Sequence, residues 1–143
     1  MSTSSSFGYF PEYSGVTPQG LNPVSGVIPG HIMATTVAAA GDQTLTGAIV
    51  KGGLLLHDPS GSPSNVTTPS AEEIIAAVGG AGVGASIDFI HRNTGTGVVT
   101  TVAGSGVTLD GTMTIAAASQ RVFKYVVTGE GAVTVYSMGE AVY

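Results

Sequence analysis

The chain has 143 residues, enough for one domain with a core and too few to expect two. Only 9% of it is charged, against roughly 25% in an ordinary soluble domain, and four Lys+Arg against nine Asp+Glu leave a net charge of −5. That balance argues against a nucleic-acid partner, whose phosphates several cations must neutralise, and the lack of cysteine excludes disulfides and thiolate metal sites. A surface so poor in charge is expected where partner chains cover it, because charge helps keep free monomers soluble and apart. The composition therefore points to a component of an assembly. No basic cluster followed by an apolar run marks a secretion signal, and no apolar stretch approaches the roughly 18 residues of a membrane span. We expect a protein made and used without secretion and without a membrane.

Residues 1–30 differ in kind from the rest. Ser2 to Ser6 is a polar tract, and Pro11, Pro18, Pro23 and Pro29 recur among glycines without a period, which suits neither a helix nor a central strand. Yet Phe7, Tyr9, Phe10 and Tyr13 lie here, four of the nine Phe and Tyr in the chain. Linkers are usually poor in aromatics. The expectation is an extended arm over 1–30 whose four rings contact a neighbouring subunit, followed by a domain over 31–143.

Beyond the arm, Ile32 to Val37 is an expected strand, and Gln43 to Val50 alternates Leu45, Gly47 and Ile49 against Thr44, Thr46 and Ala48. Gly53 to His57 is a short apolar strand ended by Asp58-Pro59, and Ser60 to Pro69 reads as an exposed loop. Ser70 to Val78 is the one convincing helix. Ser70 can cap it, Glu72 and Glu73 suit its positive end, and Gly79-Gly80 stops it. Ile87 to Arg92, Val98 to Val102, Val107 to Leu109, Met113 to Ile115, Arg121 to Val127 and Ala132 to Ser137 follow as strands between glycine turns. Phe123, Tyr125 and Val127 share one face of the longest, and Asp110-Gly111 suits a tight hairpin. The fold expected is all-β: an antiparallel β-sandwich, jelly-roll-like, with one short helix and an extended N-terminal arm.

The motifs that could carry chemistry are weak. Gly79 to Gly84 is glycine-rich but lies in the order helix, glycines, strand, the reverse of a phosphate-binding loop. His31, His57 and His91 are scattered. His57 with Asp58, and Asp88 with His91, are the nearest approaches to an acid–base pair, and Asp88 and His91 fall on opposite faces of a regular strand. Gly104-Ser105-Gly106 sits between strands rather than in a nucleophile elbow. Asn65-Val66-Thr67 matches a glycosylation acceptor by its letters alone. Arg92, Arg121 and Lys124, the only cations after Lys51, suit either solvation of strand faces or ion pairing across a subunit interface. No enzyme, cofactor or metal is expected.

Pro69 to Val78, then Val83-Gly84-Ala85-Ser86 leading into Ile87 to Thr94, then Ala103 to Leu109, Gly111 to Ile115 and Val133 to Ser137, in this order, resemble a module in structural proteins of tailed bacteriophages, notably those infecting cyanobacteria and other aquatic bacteria. The resemblance covers roughly Gly53 to Gly139 and rests on turns and strands. It implies a capsid decoration, or cement, protein: a β-sandwich on the outer surface of the virion that partners the major capsid protein, made in the host bacterial cytoplasm. It also implies a homo-oligomer, a trimer first and a dimer second. The alternative is a receptor- or glycan-binding component of a tail fibre, spike or head fibre, since such proteins share glycine- and threonine-rich β structure.

Overall fold

A computed structural model describes residues 33–38 and 40–143. The arm over 1–30, with Phe7, Tyr9, Phe10 and Tyr13, lies outside the described residues, as does His31. The described residues all fall within the unit Ile32–Tyr143.

Among the described residues, ten strands and two short helices follow one another as β1 (Met33–Ala38), β2 (Gln43–Thr44), α1 (Gly47–Gly52), β3 (Gly53–Asp58), β4 (Ser64–Thr67), α2 (Ala71–Ala77), β5 (Ser86–Asn93), β6 (Val99–Val102), β7 (Val107–Asp110), β8 (Thr114–Ile115), β9 (Ser119–Gly129) and β10 (Ala132–Val142). They form a six-stranded sheet in the order β1-β3-β5-β9-β10-β7 and a four-stranded sheet in the order β2-β4-β6-β8. The chain thus alternates between the sheets, and its first passes repeat a unit: large-sheet strand, small-sheet strand, short helix. Because each pass returns in the same sense, β1, β3 and β5 pair in parallel, and so do β2, β4 and β6. Parallel neighbours need such a crossover, whereas antiparallel ones need only a turn.

The second half is built by turns. The β9–β10 hairpin closes at Thr128–Gly131, and β9 also runs antiparallel to β5. Buried side chains from both sheets and both helices make one apolar core, including Leu45, Val66, Val99 and Ile115 from the small-sheet side and Leu55, Phe89, Phe123 and Tyr125 from the large. Val50 and Ile74 join it from the helices.

The β-rich body agrees with the sequence, and the alternation of β9 is as expected: Phe123, Tyr125 and Val127 are buried. Four expectations are corrected. First, both sheets are mixed rather than antiparallel. Second, Gln43 to Val50 is not one strand. After two residues of β2 the Thr46 side chain accepts a hydrogen bond from the Ile49 N–H and starts α1, giving a second helix. Third, Ser64–Thr67 inside the expected loop is strand β4, with Ser64 and Val66 turned into the core. Fourth, Asp110-Gly111 makes no hairpin. Gly111, at φ 100°, carries the chain from β7 in the large sheet to β8 in the small one. The cap at Ser70 is as expected, accepting from the Glu73 N–H at 3.2 Å at the start of α2.

Candidate functional site

Three arrangements of side chains stand out. The first is inside the core. His57 is the penultimate residue of β3 and His91 lies in β5, both at the buried phase of their strands and both essentially inaccessible to solvent, at 0% and 1% exposure. Parallel pairing sets Leu55 opposite His91 and His57 opposite Asn93, so the imidazoles are one pleat apart along neighbouring strands. Their rings stack with centroids 5.3 Å apart, and Nδ1 of His57 lies 3.1 Å from Nε2 of His91. One ring donates and the other accepts, which requires at least one protonated nitrogen and one bare one. Burial, and secondarily the positive charge His57 would carry, pushes the His91 pKa down to about 3. Phe89 leans on His91 and meets Tyr125 edge-on at 5.9 Å. Burial also raises the Tyr125 phenol well above its ordinary range.

The second is a polar belt beside that pair. Arg121, the Cα partner of His91 across β9, donates to the Thr114 carbonyl, to Ser137 Oγ and, at 2.7 Å, to Glu140 Oε1. Asn93 donates through Nδ2 to the carbonyls of Gly97, Ile115 and Ala116, tying β5 to β8 in the other sheet. The phenol of Tyr143 donates to the Asn93 carbonyl, and the Arg92 guanidinium lies 3.5 Å from the Tyr143 ring centroid.

The third is on the face of the large sheet turned away from the core. Leu54, Leu56, Ile90, Val122, Val126 and Tyr136 are half-buried there, around an ion pair of Lys124 and Asp88 at 2.6 Å. At the margins Met138, Val142 and Tyr143 are exposed. Met138 is the extra residue of a bulge that sets Val122 opposite Gly139 and Phe123 opposite Ser137.

Neither acid–base pair read from the sequence forms. Asp58 is exposed and accepts from the Ser60 N–H, while Asp88 faces away from His91 and pairs with Lys124. Arg121 and Lys124 each pair within their own chain, with Glu140 and Asp88. The glycine segment 79–84 leads from α2 into β5. With the β9–β10 turn it borders a groove of about 320 Å³ lined by Ile75, Val83, Val127 and Glu130. Asn65 is exposed in β4, its N–H bonded to Asp42. Among the described residues no group of three or more His, Asp or Glu could hold a metal ion, and no helix is long and apolar enough to cross a membrane.

Sequence reasoning missed the histidine pair. The signal was there in Leu55-Leu56-His57 and Phe89-Ile90-His91, two strands in which the histidine shares the phase of a core residue. Pairing them needs the parallel register, which no local feature supplies. Comparison with family models, with curated proteins and with solved structures finds no match.

Proposed function

We propose that the protein is a structural virion component, a decoration or cement protein that binds the outer surface of a phage capsid as a homo-oligomer and stabilises the shell. The observation that carries this reading is the outward face of the large sheet, where Leu54, Leu56, Ile90, Val122, Val126 and Tyr136 gather around the Lys124–Asp88 ion pair, with Arg92 as the other charge on that face. A largely apolar sheet face suits a static contact with other chains better than turnover. The arm adds to it: Phe7, Tyr9, Phe10 and Tyr13 contact a neighbouring subunit or the major capsid protein, each ring contributing roughly 4–6 kcal/mol of gross burial if fully enclosed. Ordering the backbone costs about 1–2 kcal/mol per residue, so the arm alone is marginal and acts through many copies.

The test is reconstitution on particles lacking the protein. The full chain restores surface density in cryo-EM maps and resistance to heat, and a chain lacking residues 2–13 keeps its far-UV circular dichroism while binding more weakly. Equal binding by the truncated chain removes the arm from the account. No binding to heads by either removes the capsid reading.

The alternative, a receptor- or glycan-binding part of a fibre or spike, draws on one observation. Parallel strands alternating between two sheets are the way solenoids and β-helices lengthen a shaft. Adsorption to host cells or glycans by the isolated chain, without binding to heads, would favour it.

A further inference from the structure

Cross-strand register orders the outward face of the large sheet into rows. One row runs Leu54 on β3, Ile90 on β5, Val122 on β9 and Gly139 on β10. On one side of it lie Leu56, Arg92, Gln120 and Ala141. On the other lie Asp88, Lys124 and Tyr136, with Ser86, Val126 and Thr134 beyond them. We propose that a second copy of the chain covers this face, packed sheet to sheet about a twofold axis that runs along the strands between β5 and β9. The inference rests on the reading of this face as a contact surface and names the chain that meets it, leaving attachment to a shell to other parts of the molecule.

Charge favours this partner and this axis. A twofold sets a patch against itself, so a patch of one sign repels its own copy. The chain carries a net charge of −5, yet this face holds Asp88, Lys124 and Arg92, so the excess of negative charge lies elsewhere. Asp88 and Lys124 are cross-strand partners whose side chains are 71% and 38% exposed. Rotation about the strand-parallel axis carries β5 over β9, which sets Asp88 of each copy over Lys124 of the other. The 2.6 Å pair within each chain thereby becomes one half of a square of alternating charges. Arg92 meets Gln120 by the same operation, so no like charges face each other. An axis across the strands at this row would instead set Lys124 against Lys124.

Size agrees with charge. The rotation also carries β3 over β10. Leu54 and Leu56 then come over Gly139 and Ala141, and Ile90 over Val122, so the bulky half of each face seats on the low half of the other. The bulge at Met138 makes that low half. Phe123 pairs with Ser137 and Val122 with Gly139; without the extra residue Val122 would pair with Met138 and Gln120 with Glu140. A long side chain and a charge would then fill the space the leucines need. Stacked sheets pack about 10 Å apart with their strands within about 30° of each other, which is the arrangement a strand-parallel axis gives. Four strands about 4.8 Å apart and four rows about 7 Å apart cover about 500 Å² on each copy. The total of about 1,000 Å² is at the lower bound for a specific interface, so the dimer should be reversible, with a Kd on the order of micromolar.

Sedimentation or light scattering on the isolated full chain, from low micromolar to sub-millimolar concentration, reads the proposal without any variant: a monomer–dimer equilibrium is expected. The Asp88→Lys and Lys124→Asp variants each place four like charges at the axis. Either alone should dimerise at least about tenfold more weakly than the wild type. An equimolar mixture of the two should recover a one-to-one dimer, because the basic patch of one then faces the acidic patch of the other. The ion pair within the chain is lost in the mixture as it is in each variant, so only a contact between chains gives recovery. Both variants should keep the far-UV circular dichroism of the wild type. A wild type that stays monomeric, a trimer, variants that dimerise as tightly as the wild type, or a mixture no tighter than its components would overturn the proposal. Reconstitution on heads is read separately: a monomer that decorates heads removes the twofold and leaves the capsid reading, and a dimer that binds no head does the reverse.

Discussion

The two halves of the large sheet are assembled on opposite principles. In β5, β9 and β10 each strand meets a neighbour running the other way, and aromatic residues line up across the ladder, with Phe89 opposite Phe123 and Tyr125 edge-on to Phe89. In β1, β3 and β5 each strand meets one that has left the sheet, crossed the small sheet, turned through a short helix or glycine segment and returned. Antiparallel pairing of β9 and β10 is a local event, closed by one turn. Parallel pairing is complete only when small-sheet strand, cap and helix are all in place. A region of the second kind depends on more distant residues, and its weak points are its caps and crossings rather than its strands.

The largest effects should fall on the core the halves share. Phe123→Ala is expected to cost about 3–5 kcal/mol and Leu55→Ala about 2–5 kcal/mol, each as a shift of one urea transition. If Leu55→Ala instead splits unfolding into two transitions, the halves are separable and the shared core is the wrong description. Next comes the contact between the helices. A Cβ at Gly47 would lie 2.8 Å from the Glu73 carbonyl oxygen and 3.4 Å from Ala77 Cβ. Gly47→Ala should therefore destabilise by about 1–3 kcal/mol, measured the same way, although alanine is the better helix former. Thr46→Ala removes the cap of α1 and should cost about 1 kcal/mol, with the faster amide exchange confined to α1 and the strands it feeds. On the antiparallel side, Lys124→Ala breaks a well-formed but solvent-exposed ion pair and should change stability by less than about 1 kcal/mol. A larger loss in subunit assembly than in folding would mark Lys124 as part of the contact face.

These differences also explain what the sequence could tell. The alternation of Arg121 to Val127 and the glycine turn at Thr128–Gly131 fix the hairpin locally, and Ser70 with the apolar Ile74 and Ile75 fixes α2. Gln43 to Val50 has a period-two pattern that any reader would take for a strand, yet the Thr46 cap and the need to pack Gly47 on α2 override it. Asp110-Gly111 carries the chemistry of a hairpin turn, and only the destination of the next strand makes it a crossing. The histidine pair was illegible for the same reason: residues 34 apart meet through a register set by the crossovers. The outward face could be read more nearly, since Val122, Lys124 and Val126 share a phase, but Leu54, Leu56 and Ile90 join them only through β3–β5.

That ladder is therefore the feature to test directly. Parallel pairing sets Leu54 opposite Ile90 and Leu56 opposite Arg92 on the accessible face, whereas antiparallel pairing about the same centre would set Leu54 opposite Arg92 and Leu56 opposite Ile90. The chain has no cysteine of its own, so paired cysteine substitutions report without background. Facing residues are about 5 Å apart and diagonal ones about 8 Å, beyond the reach of an unstrained disulfide. Under mild oxidation the 54/90 and 56/92 pairs should close within the monomer, and the 54/92 and 56/90 pairs should stay reduced. Closure of the second set in preference to the first would contradict the parallel joint and, with it, the histidine pairing and the outward face built on it.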